Sequence, residues 1–458
     1  MSERRAGRAA ERLFGTDGIR GRYGEGWLTT DTVSALGRAI GEVVREMVAA
    51  AAGPRRALVG HDGRRSGPPL ETAIARGLAR AGCQVTSAGL ITTPGLALLG
   101  RRHGFDVTAM ISASHNPAAD NGIKVFGRSG DKLADEVEQE IEERLRADPN
   151  PVAAGPAPVR DPALEDEYLA TLLAAAGDLA LDGRRIALDA ANGGGSRVAP
   201  RVLGRLGAQV IPIGCTPDGD NINEGCGSTS PSALQAEVVA SSAQLGIALD
   251  GDGDRCILVD ETGALVHGDP TMVMLASHAK TRGALRGDKI VATVMSNRGL
   301  HRALRAFGVG VVTVGVGDRR VVEALRRDEL SLGGEQSGHI VFGADNHYIG
   351  DGIYTALRAL RVLRDRGVEL SELAAPYEPF PQVLVNVPVV RKPDLAGLPA
   401  VAQAVARIEG DLGEDGRVLL RYSGTEPLAR VMVEGPDEEW IRARARELAA
   451  LIASQIGG

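Results

Sequence analysis

Nothing among the 458 residues approaches the ~20 consecutive apolar positions that cross a bilayer. The N-terminus, MSERRAGRAAERLFG, is basic but lacks an apolar core segment, so it does not read as a signal peptide. Cysteine is scarce. Cys83, Cys215, Cys226 and Cys256 are scattered and none belongs to a CxxC pair, which excludes a disulfide framework and fits reduced structural thiols of a cytosolic protein. Lysine is confined to Lys124, Lys132, Lys280, Lys289 and Lys392, a bias toward arginine that reads as genome composition. An excess of positive charge is missing too: net charge is -7 and pI near 5.7, which argues against general nucleic-acid binding. The expectation is a soluble, cytoplasmic chain that works on a small molecule, with no nucleic-acid or membrane partner.

What is present is enough apolar residue (43%) for real cores and enough length for three or four domains. A glycine-punctuated loop at 12–21 carries Thr16, Asp17 and Arg20. A helix capped near Thr30 follows, with Val33, Leu36, Ile40, Val43, Val44 and Met47 on one face. Strands at 57–60, 83–88 and 105–111 alternate with helices near 70–81 and 95–103, which implies a mostly parallel sheet covered on both faces. At 131–145, Leu133, Val137, Ile141 and Leu145 keep helical spacing while the acidic residues read as a solvated face. Residues 148–163 read as a Pro/Ala/Gly-rich linker.

A second α/β unit opens with a helix near 163–176 and a strand at 186–189. The run Ala190-Ala191-Asn192-Gly193-Gly194-Gly195 lacks the third glycine of a dinucleotide fingerprint and the Lys-Ser/Thr of a P-loop, so it reads as a strand-to-helix turn. A third unit has helices near 270–282 and 298–307 and strands near 290–294 and 311–315. After Pro376, Pro379 and Pro381 a smaller α+β unit has strands at 382–390, 417–421 and 428–433 and a closing helix near 437–454. The divisions fall at 1–160, 161–262, 263–378 and 379–458.

The chain is organised around Ile111-Ser112-Ala113-Ser114-His115-Asn116-Pro117, a loop at the carboxyl end of a buried strand, where open α/β sheets gather their chemistry. A serine hydroxyl there can take and release a phosphoryl group if positive charge, phosphate donors and a proton route are at hand. Asp250-Gly251-Asp252-Gly253-Asp254 supplies carboxylates at every second position, whose repulsion a divalent cation relieves. An EF-hand is the rival: Glu261 falls at the twelfth position, but Arg255 occupies the sixth, where glycine is needed, and the flanks read as strands. A few ligands with open positions suit Mg²⁺ shared with a phosphate oxygen. Arg421-Tyr422-Ser423-Gly424-Thr425, with Arg430 beyond, combines a guanidinium, two hydroxyls and a loosened backbone suited to an anion, though it equally fits an ordinary β-turn. Arg20, Lys124, His339 and His115 are candidates for proton transfer.

Together, Phe14 to Gly21, Ser112 to Pro117, Asp120-Asn121-Gly122-Ile123-Lys124, Asp250 to Asp254, Glu335-Gln336-Ser337-Gly338-His339 and Ser423 to Pro427 resemble the α-D-phosphohexomutase superfamily over nearly the whole chain. Within it the Gly334 to His339 loop and Cys226-Gly227-Ser228-Thr229 look most like the branch acting on glucosamine phosphates. The resemblance implies three consecutive α/β sandwich-like domains with mixed, mostly parallel sheets plus a smaller C-terminal α+β domain, heart-shaped around a central cleft. It implies that Ser114 carries a phosphoryl group and that Asp250, Asp252 and Asp254, with that phosphate, hold one Mg²⁺. By the same resemblance Glu335 and Ser337 grip sugar hydroxyls, Arg421, Ser423, Gly424 and Thr425 hold the non-reacting phosphate, and Arg20, Lys124 and His339 serve proton transfer and charge. The implied reaction interconverts glucosamine 6-phosphate and glucosamine 1-phosphate through glucosamine 1,6-bisphosphate, toward UDP-N-acetylglucosamine, in a monomer or homodimer. The alternatives are a phosphomannomutase or phosphoglucomutase of the same superfamily and a non-catalytic Ca²⁺ or sugar-phosphate sensor. Tyr422, where Lys or Pro is commoner, and Arg320, where Tyr is common, depart from the pattern.

Overall fold

The computed structural model describes residues 12–15, 17–47, 54–155, 157–423 and 426–457. Four sheets follow one another along the chain. The first has six strands in the order Ile19–Arg22, Asp120–Gly127, Val107–Ile111, Arg55–His61, Cys83–Leu90 and Val159–Arg160. Its last three pairings are parallel and its first two antiparallel. The serine loop is therefore the turn of an antiparallel hairpin, with Ile111 opposite Ile123. That arrangement puts Lys124, one residue further on, level with the end of the same strand.

The second sheet repeats the plan. Arg185–Asp189 pairs in parallel with Gln209–Ile213 and Leu245–Leu249, and the latter turns back antiparallel into Cys256–Asp260. The aspartate run 250–254 occupies that hairpin, between strands as its flanks predict and not between the helices of an EF-hand. In the third sheet Lys289–Thr293 pairs in parallel with Gly310–Val314 and Leu332–Gly334, and Leu332–Gly334 pairs antiparallel with Ile340–Phe342. Glu335 to His339 form the turn between the last two. Three units thus each present one hairpin turn carrying polar residues. The fourth sheet, Gln382–Pro388, Leu428–Glu434 and Arg417–Tyr422, is wholly antiparallel.

One continuous core runs through the first three units, from Leu98 and Tyr168 through Leu249 and Met272 to Leu300 and Leu357. A separate core, including Val401, Ile408, Val431, Ile441 and Leu448, belongs to the fourth. At ~1.5–3 kcal/mol for each fully buried aliphatic side chain, that cluster has its own cohesion.

Several local expectations need correction. The helix Thr30–Met47 buries Val33, Leu36, Ile40, Val43 and Val44, but Met47 is 56% exposed and the first-turn N–H of Thr32 is capped by Thr29 Oγ1. Leu133 precedes the helix Asp135–Ala147. The acidic residues of that helix are not all solvated. Glu142 is buried and its Oε1 accepts the main-chain N–H groups of Leu13 and Phe14 at 2.8 and 2.9 Å. Glu138, also buried and one helical turn away, accepts from Arg12 and Arg319. For Glu142, satisfying two main-chain N–H groups of the entering chain outweighed solvation; for Glu138, two guanidinium groups, one from the third unit, did so. The stretch read as a linker contributes Val159–Arg160 as an edge strand against Thr86 and Ser87.

Candidate active site

Ser114 is 1% exposed and adopts φ 52°, the left-handed region that a serine enters only when its surroundings hold it there. What holds it is Arg64, a fully buried guanidinium. It donates to the main-chain oxygens of Ser114 and Asn116 at 2.9 Å each, of Asp120 at 2.9 Å and of Pro117 at 2.5 Å, so it braces both ends of the serine loop. Asp62 pairs with Arg64 Nε at 2.9 Å and accepts Ser112 Oγ at 2.6 Å, and that hydroxyl accepts the N–H of Ser114 at 2.8 Å. From the second unit, Asn223 Nδ2 donates to the oxygens of Ser114 and Asn116 at 2.9 and 3.0 Å.

The hydroxyl itself points at the aspartate hairpin: Ser114 Oγ donates to Asp250 Oδ2 at 2.6 Å. Asp250 and Asp252 are fully buried and Asp254 nearly so, and one carboxylate oxygen from each lies within 4.8 Å of the others. Burial, then Asp254 and Asp252, push the Asp250 carboxyl up to about 8, the response of an anion crowded by anions away from water. Lys124, only 2% exposed, offsets part of this charge with Nζ 2.8 Å from Asp252 Oδ2 and 3.4 Å from Asp254 Oδ2. Yet Asp252 Oδ1 and Asp254 Oδ1 remain buried without a hydrogen-bond donor among the described residues. Two orphaned carboxylate oxygens beside a third carboxylate and a serine hydroxyl form a hard, all-oxygen donor set, which fits a divalent cation such as Mg²⁺.

Around this centre the structure gathers the other cations. His339 Nδ1 lies 3.5 Å from Asp254 Oδ1; burial disfavours the imidazolium, but Asp254 overcomes it and the ring is raised to about 9. Arg20 Nη2 is 2.5 Å from Asp17 Oδ2, and Asp17 also meets Lys124 at 3.0 Å and Lys132 at 2.5 Å. Lys132 continues to Asp318 of the third unit at 2.7 Å. Glu335 accepts the N–H of Gly317 at 3.2 Å, and Ser337 is exposed at the tip of its turn. A cavity of about 490 Å³ is lined by Arg20, His115, Asp254, Asp318, Glu335 and His339 among others, and one of about 880 Å³ adjoins it through Asp254, Asp318 and His339.

Ser114, the three aspartates, Arg20, Lys124, His339 and Glu335 therefore converge. The described fourth-unit candidates, Arg421 and Ser423, do not join them. Arg421 is exposed, opposite Arg430 in the sheet; Ser423 is buried, its oxygen accepting Lys392 Nζ at 2.8 Å; neither lines the two cavities. Gly424 and Thr425 lie outside the described residues. The glycine run after Asp189 is a turn, and its positive φ angles fall on Ala191 and Asn192. Its glycines serve close approach instead: a Cβ on Gly193 would sit 2.0 Å from Gly251 O, against the aspartate hairpin. Asp62, Arg64, Asn223, Lys132 and Asp318 are additions the sequence reading lacked. Asp62-Gly63-Arg64 had a usable signal, since it follows the parallel strand Arg55–His61 at the same carboxyl edge as the serine.

A sheet-edge serine against clustered aspartates, in a chain of three hairpin-bearing α/β units and an α+β unit, defines the architecture of a phosphohexomutase. Family profiles agree: phosphoglucomutase/phosphomannomutase alpha/beta/alpha domains I, II and III match residues 11–151, 166–263 and 267–380, and the C-terminal domain matches 384–451. Phosphoglucosamine mutases are similar over nearly the full length. That of Solibacter usitatus is 46% identical over 98% of this chain and 100% of its own, and that of Mycolicibacterium paratuberculosis 47% identical over 97% and 99%. Among solved structures, a phosphoglucomutase/phosphomannomutase family protein from Burkholderia thailandensis superposes with TM-score 0.78 at 24% identity, covering 97% of each chain. An Aspergillus fumigatus N-acetylphosphoglucosamine mutase in complex with GlcNAc-6P and magnesium superposes with TM-score 0.63 at 19% identity, covering 96% of this chain and 95% of that one. The chain belongs to the phosphoglucomutase/phosphomannomutase family of phosphohexomutases, and it is a mutase enzyme. No helix among the described residues is long and apolar enough to cross a membrane.

Proposed function

We propose that this enzyme interconverts glucosamine 6-phosphate and glucosamine 1-phosphate in the cytoplasm, with Ser114 as the phosphoryl carrier. The observation that carries the reading is the Ser114 hydroxyl, 2.6 Å from Asp250 in a buried nest of three carboxylates, in a chain 46–47% identical to two relatives named phosphoglucosamine mutase. In the first transfer the sugar C1 hydroxyl attacks the phosphorus on Ser114. The O1–P bond forms as the P–Oγ bond breaks, and the proton leaving O1 is made up on Oγ. The bisphosphate turns over, Ser114 Oγ attacks the phosphorus at O6, and the proton returns to O6. Glucosamine 1,6-bisphosphate is the intermediate.

Asp250, Asp252 and Asp254, together with the serine phosphate, hold Mg²⁺ in this reading. When bound, the ion neutralises charge on the transferring phosphoryl group. Arg20, Lys124 and His339 add fixed positive charge and donors on the cleft side. Glu335 and Ser337 accept and donate to the sugar hydroxyls. Arg421, Ser423, Gly424 and Thr425 hold the phosphate that is not reacting, which requires the fourth unit to approach the cleft.

The test is a side-by-side assay of glucosamine, glucose and mannose 6-phosphates with the purified enzyme, paired with mapping of the Ser114 peptide. Preference for glucosamine 6-phosphate and a phosphoryl group on Ser114 are expected. A preference for either hexose without the amine ends the glucosamine assignment, and full turnover by Ser114→Ala ends the carrier role.

A further inference from the structure

Asp269 lies fully buried in the first turn of the helix Gly268–Thr281, in a part of the third unit that the chemistry above does not use. Three donors from three places converge on its Oδ2. Gln336 Nε2, from the turn that carries Glu335 and Ser337, is 3.3 Å away. The main-chain N–H of Asn297, at the cap of the helix Arg298–Ala306, donates at 2.9 Å. Tyr377 Oη, from the junction leading to the fourth unit, is 3.5 Å away, and its ring packs edge-on against His267.

Each side of this contact is tight. Toward the sugar turn, Gly268 N–H donates to Gln336 O at 3.0 Å, and a Cβ on Gly268 would lie 2.0 Å from Glu335 O, so the helix start is pressed against the turn. Toward the fourth unit, Asn297 makes a reciprocal pair with the main chain of Phe380, Nδ2 donating at 3.0 Å and Oδ1 accepting at 2.9 Å. Arg417, on the fourth sheet, donates back to the oxygens of Val294 and Ser296 at 2.8 and 2.7 Å. With Asp269 closed to solvent, no water replaces a donor that moves away.

We propose that Asp269 is a positioning residue that couples the sugar-binding turn to the placement of the fourth unit, so that seating of the sugar at Glu335 and Ser337 and approach of the phosphate-holding loop occur together. This rests on the reading that Glu335 and Ser337 hold the sugar. A displaced turn pulls Gln336 from the carboxylate, and the same carboxylate fixes the Asn297 peptide on which Phe380 is paired.

The test is amide hydrogen exchange on the full chain, with and without whichever of the three hexose 6-phosphates it turns over fastest. In the wild type the sugar phosphate slows exchange in both 335–339 and 376–381. Gln336→Leu keeps the response at 335–339 and weakens that at 376–381 about fivefold, the low end of typical coupling between sites. Tyr377→Phe does the same to a smaller degree, and both variants release more free bisphosphate per turnover. An undiminished junction response in Gln336→Leu overturns the coupling. A wild type whose turn responds while its junction stays silent also overturns it, leaving the sugar reading intact. A turn that itself ignores every sugar phosphate removes both.

Discussion

Arg64 shows how much of the proposed phosphoryl-transfer site is built from main chain. Its guanidinium meets four backbone oxygens of the serine loop and one carboxylate, and the resulting brace keeps Ser114 at φ 52° with its hydroxyl on Asp250. Lysine has no planar fork and cannot serve those oxygens together. Arg64→Lys should therefore lower kcat about a hundredfold through misplacement of the hydroxyl while leaving KM nearly unchanged. Steady-state kinetics with folded variant check this; a KM effect alone would show that Arg64 acts on sugar binding instead. Ser114 and the aspartates were legible in the sequence because the carboxylates alternate with glycine and the serine sits between an apolar run and Pro117. Arg64 was missed: its place just after the strand Arg55–His61 marked it as near the site, but its role as a brace depends on peptide oxygens about fifty residues away, which no side-chain pattern records.

Among the elements, the helix Gly352–Arg366 ties the third unit to the aspartate hairpin, Gly352 N–H donating to Gly253 O at 3.0 Å. Its cap, Asp351, is buried, accepts the N–H of Tyr354 at 2.9 Å and the hydroxyl of Tyr168 at 2.8 Å, and is raised from 3.8 to about 6, chiefly by burial. A raised carboxyl stabilises the fold fully below its unfolded value, and that contribution is lost as pH climbs through the folded one. Between about pH 4 and 7 the wild-type melting temperature should thus fall relative to that of Asp351→Asn, which caps without ionising. Parallel curves from thermal melts over that range would refute the assignment. The long elements were legible: the helix at 163–176 and the strands around the aspartates fall where periodicity places them. The strands Leu332–Gly334 and Ile340–Phe342 were not, since three residues carry no period. Glu138 and Glu142 were misjudged for a related reason. Their helix is amphipathic, and the Leu13 and Phe14 N–H groups that draw Glu142 inward belong to a distant segment.

At the scale of the molecule, three hairpin turns from three sheets meet around one charge cluster, and cations and carboxylates alternate across it from Asp252 through Lys124, Asp17 and Lys132 to Asp318. Within it Asp252 Oδ1 is left with no hydrogen-bond donor among the described residues, and Asp254 Oδ1 faces only the His339 ring at 3.5 Å. Chelation of divalent ions should abolish turnover, and readdition of Mg²⁺ should restore it, with no loss of secondary structure by circular dichroism because the aspartates sit on a hairpin already paired by its strands. Activity that survives exhaustive chelation would contradict the metal role. Among the described residues the fourth unit has its own core and lines neither cavity, so the proposed role of Arg421 and Ser423 calls for its approach to the cleft.

The most direct measurement is a chase. Enzyme carrying a radiolabelled phosphoryl group on Ser114 is mixed with unlabelled glucosamine 6-phosphate and quenched within one turnover. The account predicts that label leaves the serine and appears at C1 of the sugar, first in the bisphosphate and then in glucosamine 1-phosphate. Label that stays on the protein while product accumulates would contradict it.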